Sequence, residues 1–261
     1  MAAETTRTAD ATPGAPTDEI VTAAILVIGD EILSGRTKDK NIGFVADHMT
    51  AIGIRLREVR IVADDEAEIV AAVNALRTRY TYVFTTGGIG PTHDDITADC
   101  IAKAFGVGID VDQRALDLMI PYYKASGREL TPGRLRMARI PFGADLVENK
   151  VSVAPGFMLG NVITMAGVPN VMQSMLESVT LRLKTGKRML SSAVDVDHPE
   201  GSVADLFRQH QEFYPDVAMG SYPSQKDGKP VTQLVLRSTD GVRLDEAVVG
   251  LRRKLAEAGF S

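Results

Sequence analysis

One segment limits the fold of this chain more than any other: Tyr82-Val83-Phe84-Thr85-Thr86-Gly87-Gly88-Ile89-Gly90-Pro91-Thr92-His93-Asp94-Asp95-Ile96-Thr97. A short apolar and β-branched run that breaks at once into glycines reads as a strand buried on both faces. The glycines that follow can take positive φ and let the backbone approach a ligand closely. From Ile96 the pattern predicts a helix to Phe105, closed by Gly106. The free N–H groups and positive dipole end of that helix, with Gly87, Gly88 and Gly90, would form a phosphate cradle, and Thr86 and Thr92 add hydroxyl donors. Asp94 and Asp95 come directly after, where a bare anion binder would not place them. Such carboxylates make sense if a divalent cation lies between them and a phosphate, or if they position a reacting group. They equally suit capping of the helix.

The same grammar runs upstream. Thr22–Ile28 is a short apolar strand ended by Gly29, and Asp30 and Glu31 follow it. A helix from Asp39 or Asn41 carries Ile42, Val45, Met49 and Ile52 at spacings of three and four, and Gly53 stops it. Ile54–Val62 reads as a second strand. Asp64 or Asp65 then caps a helix bearing Ile69, Val73 and Leu76 on one face. Strand and helix alternating in this way build a parallel α/β sheet, and ligands bind such sheets beyond the carboxyl ends of the strands. Gly29, Asp30, Glu31 and Asp64 therefore arrive at the same edge as the glycine loop. Each alone is compatible with a solvated turn or a helix cap; together they point to a shared site.

The remainder reads as a more helical middle (Asp112–Ser126 and around Arg134–Ala138), a strand at Val162–Met165, and a helix from Val171 to Leu183. After Thr185-Gly186 the order changes to strand, helix, strand, turn, strand, helix, a small α+β unit over 187–261. That unit holds ten basic against eleven acidic residues, and the whole 261-residue chain 29 against 34, for a net charge of −5. No basic face is there to attract nucleic acid. One cysteine, Cys100, excludes an intramolecular disulfide and a cysteine-rich zinc site. No apolar run approaches the roughly 20 residues of a membrane span. Residues 1–19 are expected to be a disordered tail without the apolar core of a signal peptide, and the protein to be cytoplasmic with no membrane partner.

The segments Gly29-Asp30-Glu31-Ile32-Leu33-Ser34-Gly35, Asp64 and Gly87–Thr97, with Ala166-Gly167-Val168-Pro169, resemble the MoaB/Mog molybdopterin-binding domain family. More narrowly they are similar to the N-terminal domain of the CinA (competence/damage-inducible protein A) group and to the corresponding domain of eukaryotic FAD synthase. The resemblance implies a three-layer α/β/α domain with a mostly parallel sheet over 20–186, in a homo-oligomer, followed by the small α+β domain. In the Mog branch the pocket binds molybdopterin, with acidic residues at the positions of Asp64 and Asp95. In the CinA-like branch related domains cleave the pyrophosphate of ADP-ribose or FAD with a divalent metal. Asp94 and Ile89 stand where the Mog pattern has Arg and Thr, as in the CinA-like branch.

From this the expected ligand is a small phosphorylated pterin or nucleotide. Gly29, Thr86, Gly87, Gly88, Gly90 and Thr92 would bind it, and Asp30, Glu31, Asp94 and Asp95 would hold Mg²⁺ or a similar cation. Asp95, Asp64 and Asp94 would be catalytic in hydrolysing a nucleotide pyrophosphate. The alternative is a non-catalytic molybdopterin or nucleotide binder, or a molybdenum-cofactor biosynthesis protein. His93 lies inside the loop, but the other histidines are scattered. Arg134, Arg136 and Arg139 either reach an anion or form a solvated face. Phe44, Phe157 and Tyr122 are candidates to cover a flavin or pterin ring.

Overall fold

The computed structural model describes residues 19–260, so the tail expected over 1–19 lies, but for Glu19, outside the described residues. Residues 19–186 and 187–260 form two compact units. The first contains β1 (Thr22–Ile28), α1 (Asp30–Leu33), α2 (Asn41–Ala51), β2 (Arg55–Val62), α3 (Glu66–Arg77), β3 (Tyr82–Thr86), α4 (Thr97–Phe105), β4 (Ile109–Val111), α5 (Gln113–Ala125), α6 (Pro132–Arg136), β5 (Arg139–Pro141), β6 (Asp145–Val147), β7 (Gly156–Leu159), β8 (Val162–Met165) and α7 (Pro169–Thr180).

Its main sheet has the order β2-β1-β3-β8-β7-β6. The first four strands are parallel; β7 and β6 run antiparallel. β1 sits between two neighbours and is buried along nearly its whole length. Its residues alternate between two cores, as a period of two requires. Ala24, Leu26 and Ile28 join the cluster with α3, α4 and α5, while Ala23, Ile25 and Val27 join the one with α2 and α7. Helices thus cover both faces, which is a three-layer α/β/α arrangement. The middle is less helical than its sequence implies. Four strands of three or four residues, β4 to β7, occupy it, and elements that short carry too few residues to show a period.

Local signals set the helix ends. Asp39 accepts from the Ile42 N–H (2.8 Å) and Asp65 from the Glu68 N–H (3.0 Å), each giving an acceptor to an otherwise unpaired donor of the first turn. Gly106 ends α4 in the left-handed conformation.

The second unit contains β9 (Leu190–Val196), α8 (Glu200–Phe213), β10 (Ala218–Lys226), β11 (Lys229–Ser238) and α9 (Gly241–Glu257). Its antiparallel sheet has the order β10-β11-β9. Asp227 and Gly228, both at positive φ, form the two-residue hairpin turn between β10 and β11. Leu234 and Leu236 of β11 pack with Phe207 of α8 and with Leu244, Leu251 and Leu255 of α9 in a core of their own. Among the described residues no helix is long and apolar enough to cross a membrane.

Candidate functional site

Because β1, β2, β3 and β8 are parallel, their carboxyl ends share one edge of the sheet. There they deliver Gly29–Glu31, Asp64, Gly87–Asp95 and Ala166–Pro169. The glycine loop is threaded through a gap that admits no side chain. Gly87 has φ +104°, and a Cβ there would lie 2.1 Å from the Ile28 carbonyl oxygen. Gly88 has φ +66°, and its Cβ would lie 2.1 Å from Thr97 Oγ1. The loop is tied down at both ends: Gly87 N–H donates to Met165 O (3.1 Å), and Gly88 O accepts from Thr97 N–H (2.9 Å). Among the described residues, the N–H groups of Gly88, Ile89 and Gly90 donate to no other group.

Those amides border a cavity of about 480 Å³. Around it stand Glu31, Thr37 and Asp95, then Met137, Asn149, Ser152, Ala154 and Pro155, and, from the turn after β8 into the start of α7, Ala166–Pro169 and Val171. One end is polar and carries the loop and two carboxylates. The rest is largely apolar, with Met137, Val168 and Met175.

Of the residues expected to bind or act, Glu31, Gly87, Gly88, Gly90 and Asp95 line this cavity; Gly29, Asp30, Asp64, Thr86, Thr92 and Asp94 stand behind or beside it. Thr86 is buried beneath, accepting from Asn41 Nδ2 (3.1 Å), which also donates to Gly167 O (2.8 Å). Asn41 therefore links the ends of β3 and β8 under the site. Thr92 is exposed and turned to its own loop: its N–H (2.8 Å) and its hydroxyl (2.6 Å) both donate to Asp95 Oδ2. Asp95 also lies against Gly90, where a Cβ would meet Oδ2 at 2.6 Å. Its carbonyl accepts from Arg136 Nη2 (3.3 Å). The helix end expected to complete the cradle is set back, because α4 starts at Thr97, whose N–H is spent on Gly88 O. The cradle is loop backbone.

Asp64 leaves helix capping to Asp65 and instead accepts from the Asp30 N–H (3.0 Å), joining the ends of β1 and β2. Partial burial raises its carboxyl above the ordinary value. The Asp30 N–H opposes that shift, and the like charges of Asp30, Glu31 and Asp94 add to it. The exposed Asp94 carboxyl is held below its ordinary value by the nearness of Thr92 and by its own backbone N–H, while the Thr92 hydroxyl hydrogen itself goes to Asp95 Oδ2. Glu31 folds over Gly29, whose Cβ would sit 2.6 Å from its carboxylate. The five acids thus divide: Asp30, Glu31 and Asp94 interact with Asp64, while Asp95 is held by Thr92 on the loop. Among the described residues, no three His, Cys, Asp or Glu side chains form a group able to hold a metal by themselves.

The arginines have other partners. Arg139 makes two 2.7 Å bonds to Asp99, and Arg134 lies over the Tyr123 ring. Arg136 holds the loop at the Asp95 carbonyl. Phe157 is core, Phe44 packs beside α2's core face and Tyr122 is half-exposed against Tyr123; none of the three lines the cavity. His93 is exposed and outside it. Sequence reasoning missed Asn149, Ser152, Ala154 and Pro155; the turn-forming Ala154-Pro155-Gly156 was the signal available.

Residues 24–185 match the family model described as probable molybdopterin binding domain, and residues 188–261 that of the FAD synthase middle domain. A protein of Pyrobaculum arsenaticum is 32% identical over 245 residues, 90% of this chain and 92% of its own length. One of Aeropyrum pernix is 32% identical over 222 residues, 81% and 83% of the two chains. The solved structure of a CinA protein of unknown function from Thermoplasma acidophilum is 36% identical. It covers 61% of this chain and 96% of its own, with a TM-score of 0.56. With the sheet edge, the glycine loop and these matches in agreement, the chain belongs to the molybdopterin-binding domain family, in its CinA-like form with an FAD synthase middle domain.

Proposed function

We propose that the protein binds a nucleoside diphosphate such as ADP-ribose or FAD and hydrolyses its pyrophosphate with the help of a divalent cation. One observation carries this reading: a cavity whose polar end combines the unpaired amides of Gly88, Ile89 and Gly90 with the carboxylates of Glu31 and Asp95. The amides receive phosphoryl oxygens and offset the negative charge that grows on them. Asp95 Oδ2 is committed to Thr92, while Oδ1 takes no protein donor among the described residues and is free to orient a water and accept its proton. The water oxygen forms the new P–O bond, the bridging P–O bond breaks, and AMP and a second monophosphate leave.

The donor chemistry fits a hard cation that arrives with the phosphates, since Mg²⁺ uses one or two carboxylates together with substrate oxygens. Glu31 at the cavity stands with Asp30 and Asp94 in a group of like charges around Asp64. Asp30 and Glu31 would hold the cation together with the phosphate oxygens, and when bound it would neutralise phosphate charge and lower the pKa of a coordinated water. Incubation of the purified protein with ADP-ribose or FAD, with and without Mg²⁺, Mn²⁺ or Co²⁺, followed by chromatography, should yield AMP. Asp95→Ala should abolish turnover while stability stays within about 1–2 kcal/mol of wild type; full activity in that variant overturns the assignment.

A second reading is a non-catalytic molybdopterin or nucleotide binder. It is favoured by the lack of a ready-made three-carboxylate group among the described residues. Thermal stabilisation by ligand without product under any metal would establish it. Homo-oligomerisation and a cytoplasmic location belong to either reading.

A further inference from the structure

The segment Asn149–Pro155, part of the cavity wall, contains a backbone conformation its residue type disfavours. Among the described residues only Val153 (φ 68°) and Asp227 (φ 53°) are non-glycines at positive φ. Asp227 sits in a hairpin turn, where Asp tolerates that region. Val153 is β-branched, for which positive φ is a true outlier. The Ala154 N–H donates to Ser152 O (2.9 Å), closing a γ-turn of the rarer, strained form centred on Val153.

The strain is held by one side chain. Asn149 is buried, and Nδ2 donates to Ser152 Oγ (2.7 Å) and Ala154 O (2.9 Å). Its Oδ1 accepts from the N–H groups of Val151 (3.0 Å) and Ser152 (3.2 Å). Every hydrogen-bonding position of the amide is thereby used on the turn. Val153 itself packs against the core between the sheet and α3–α5. Strain over-determined in this way, at a ligand cavity, has a functional purpose more often than elsewhere. Asn149, Ser152, Ala154 and Pro155 face the cavity with no charged side chain, beside Met137, Val168 and Met175. That part of the wall suits an uncharged ring and not a phosphate.

We propose that the strained turn Ser152–Val153–Ala154, pinned by Asn149, selects the ring-bearing part of the ligand, with Asn149 and Val153 as positioning residues. The inference rests on the nucleotide reading above. A relaxed turn would move the wall and lose the fit to the ring, while the phosphate end at the glycine loop would be untouched.

The test compares wild type, Val153→Gly and Val153→Ala by thermal melting and by calorimetric titration with two probes, ADP-ribose and inorganic pyrophosphate. Gly is ordinarily less stabilising than Ala, but at a positive φ the order reverses, so Val153→Gly should melt above Val153→Ala. Val153→Gly takes the positive φ without strain and should keep both affinities within about twofold of wild type. Asn149→Ala, measured alongside, frees the turn and should bind ADP-ribose about tenfold more weakly than wild type, and pyrophosphate within about twofold of it; the uncharged Asn149→Ser replaces it if it folds poorly. Wild-type affinity for ADP-ribose in the Asn149 variant, or equal loss of both probes, overturns the inference. So does a melting order with Ala above Gly. Wild-type protein that binds neither probe, with or without Mg²⁺, removes the nucleotide reading and this inference together; selective results in the variants leave the first standing and decide the second.

Discussion

At the scale of single residues, neighbouring carboxylates in the same sequence neighbourhood have different roles because their hydrogen-bond donors differ. Asp65 caps α3, whereas Asp64 bonds the Asp30 N–H and stands among three like charges. A carboxyl raised in the folded state binds its proton more readily there than in the unfolded chain. The stability it contributes is therefore present at low pH and is lost as pH rises from the ordinary value of 3.8 through the raised one. At neutral pH the ionised Asp64 is a cost. Asp64→Asn keeps an acceptor for the Asp30 N–H and removes the charge. It should raise stability at pH 7 by on the order of 0.5 kcal/mol, with the gain vanishing near pH 3.5. Urea unfolding at the two pH values checks this; a variant less stable at pH 7 would contradict it. Asp94 and Asp95 are adjacent in sequence, and nothing in their types separates them. The Thr92 donors do, by holding Asp95 Oδ2 to the loop.

Among the elements, the packing of α8 on α9 contains a buried titratable contact. His210 of α8 is fully buried, its Nε2 donates to Ala247 O of α9 (2.8 Å), and Nδ1 is buried without a partner among the described residues. Burial pushes its pKa below 6.5; the bond to Ala247 opposes this and Lys254 adds to it. The Tyr214 ring is tilted against the His210 ring at 4.8 Å. A proton on Nδ1 would have no acceptor, so the folded unit favours neutral histidine. Stability from this group is complete well above pH 6.5 and is lost as pH falls below it. Amide exchange in β9 and β11, corrected for intrinsic rate, should accelerate relative to β3 between about pH 7 and pH 5.5; equal behaviour of the two sheets would refute the expectation. Elements of this size were readable from sequence: β1 and β3 as short apolar runs, α2 and α3 from apolar spacing and Asp caps. β4 to β7 were not, since three or four residues show no period. α4 was readable too, since the helix expected from Ile96 to Phe105 has Ile96 as its N-cap and begins at Thr97. The turn before it, from Pro91 to Ile96, was not, because it depends on Asp95 bonding Thr92 rather than on propensity.

For the whole molecule, the cores are built from separate stretches of chain: residues 19–186 close two, one on each face of the main sheet, and residues 187–260 close a third. A fragment of residues 187–261 is expected to fold alone, because β9–β11, α8 and α9 bury their apolar faces on one another. A dispersed amide spectrum would show this, and a collapsed one would show dependence on the rest of the chain. The sequence by itself determined the alternation of strand and helix, the parallel sheet, and the edge at which a site must lie. Those follow from local spacing and from the handedness of the chain. Only the tertiary structure decided which residues face the ligand. It turned Thr86 and Thr92 away, split the carboxylates between Asp64 and the loop, and brought in the wall from Asn149 to Pro155 and the start of α7. The physical reason is that periodicity reports burial along one element. A cavity is bounded by loops from several, each oriented by hydrogen bonds to partners as far apart in sequence as Asn41 and Gly167.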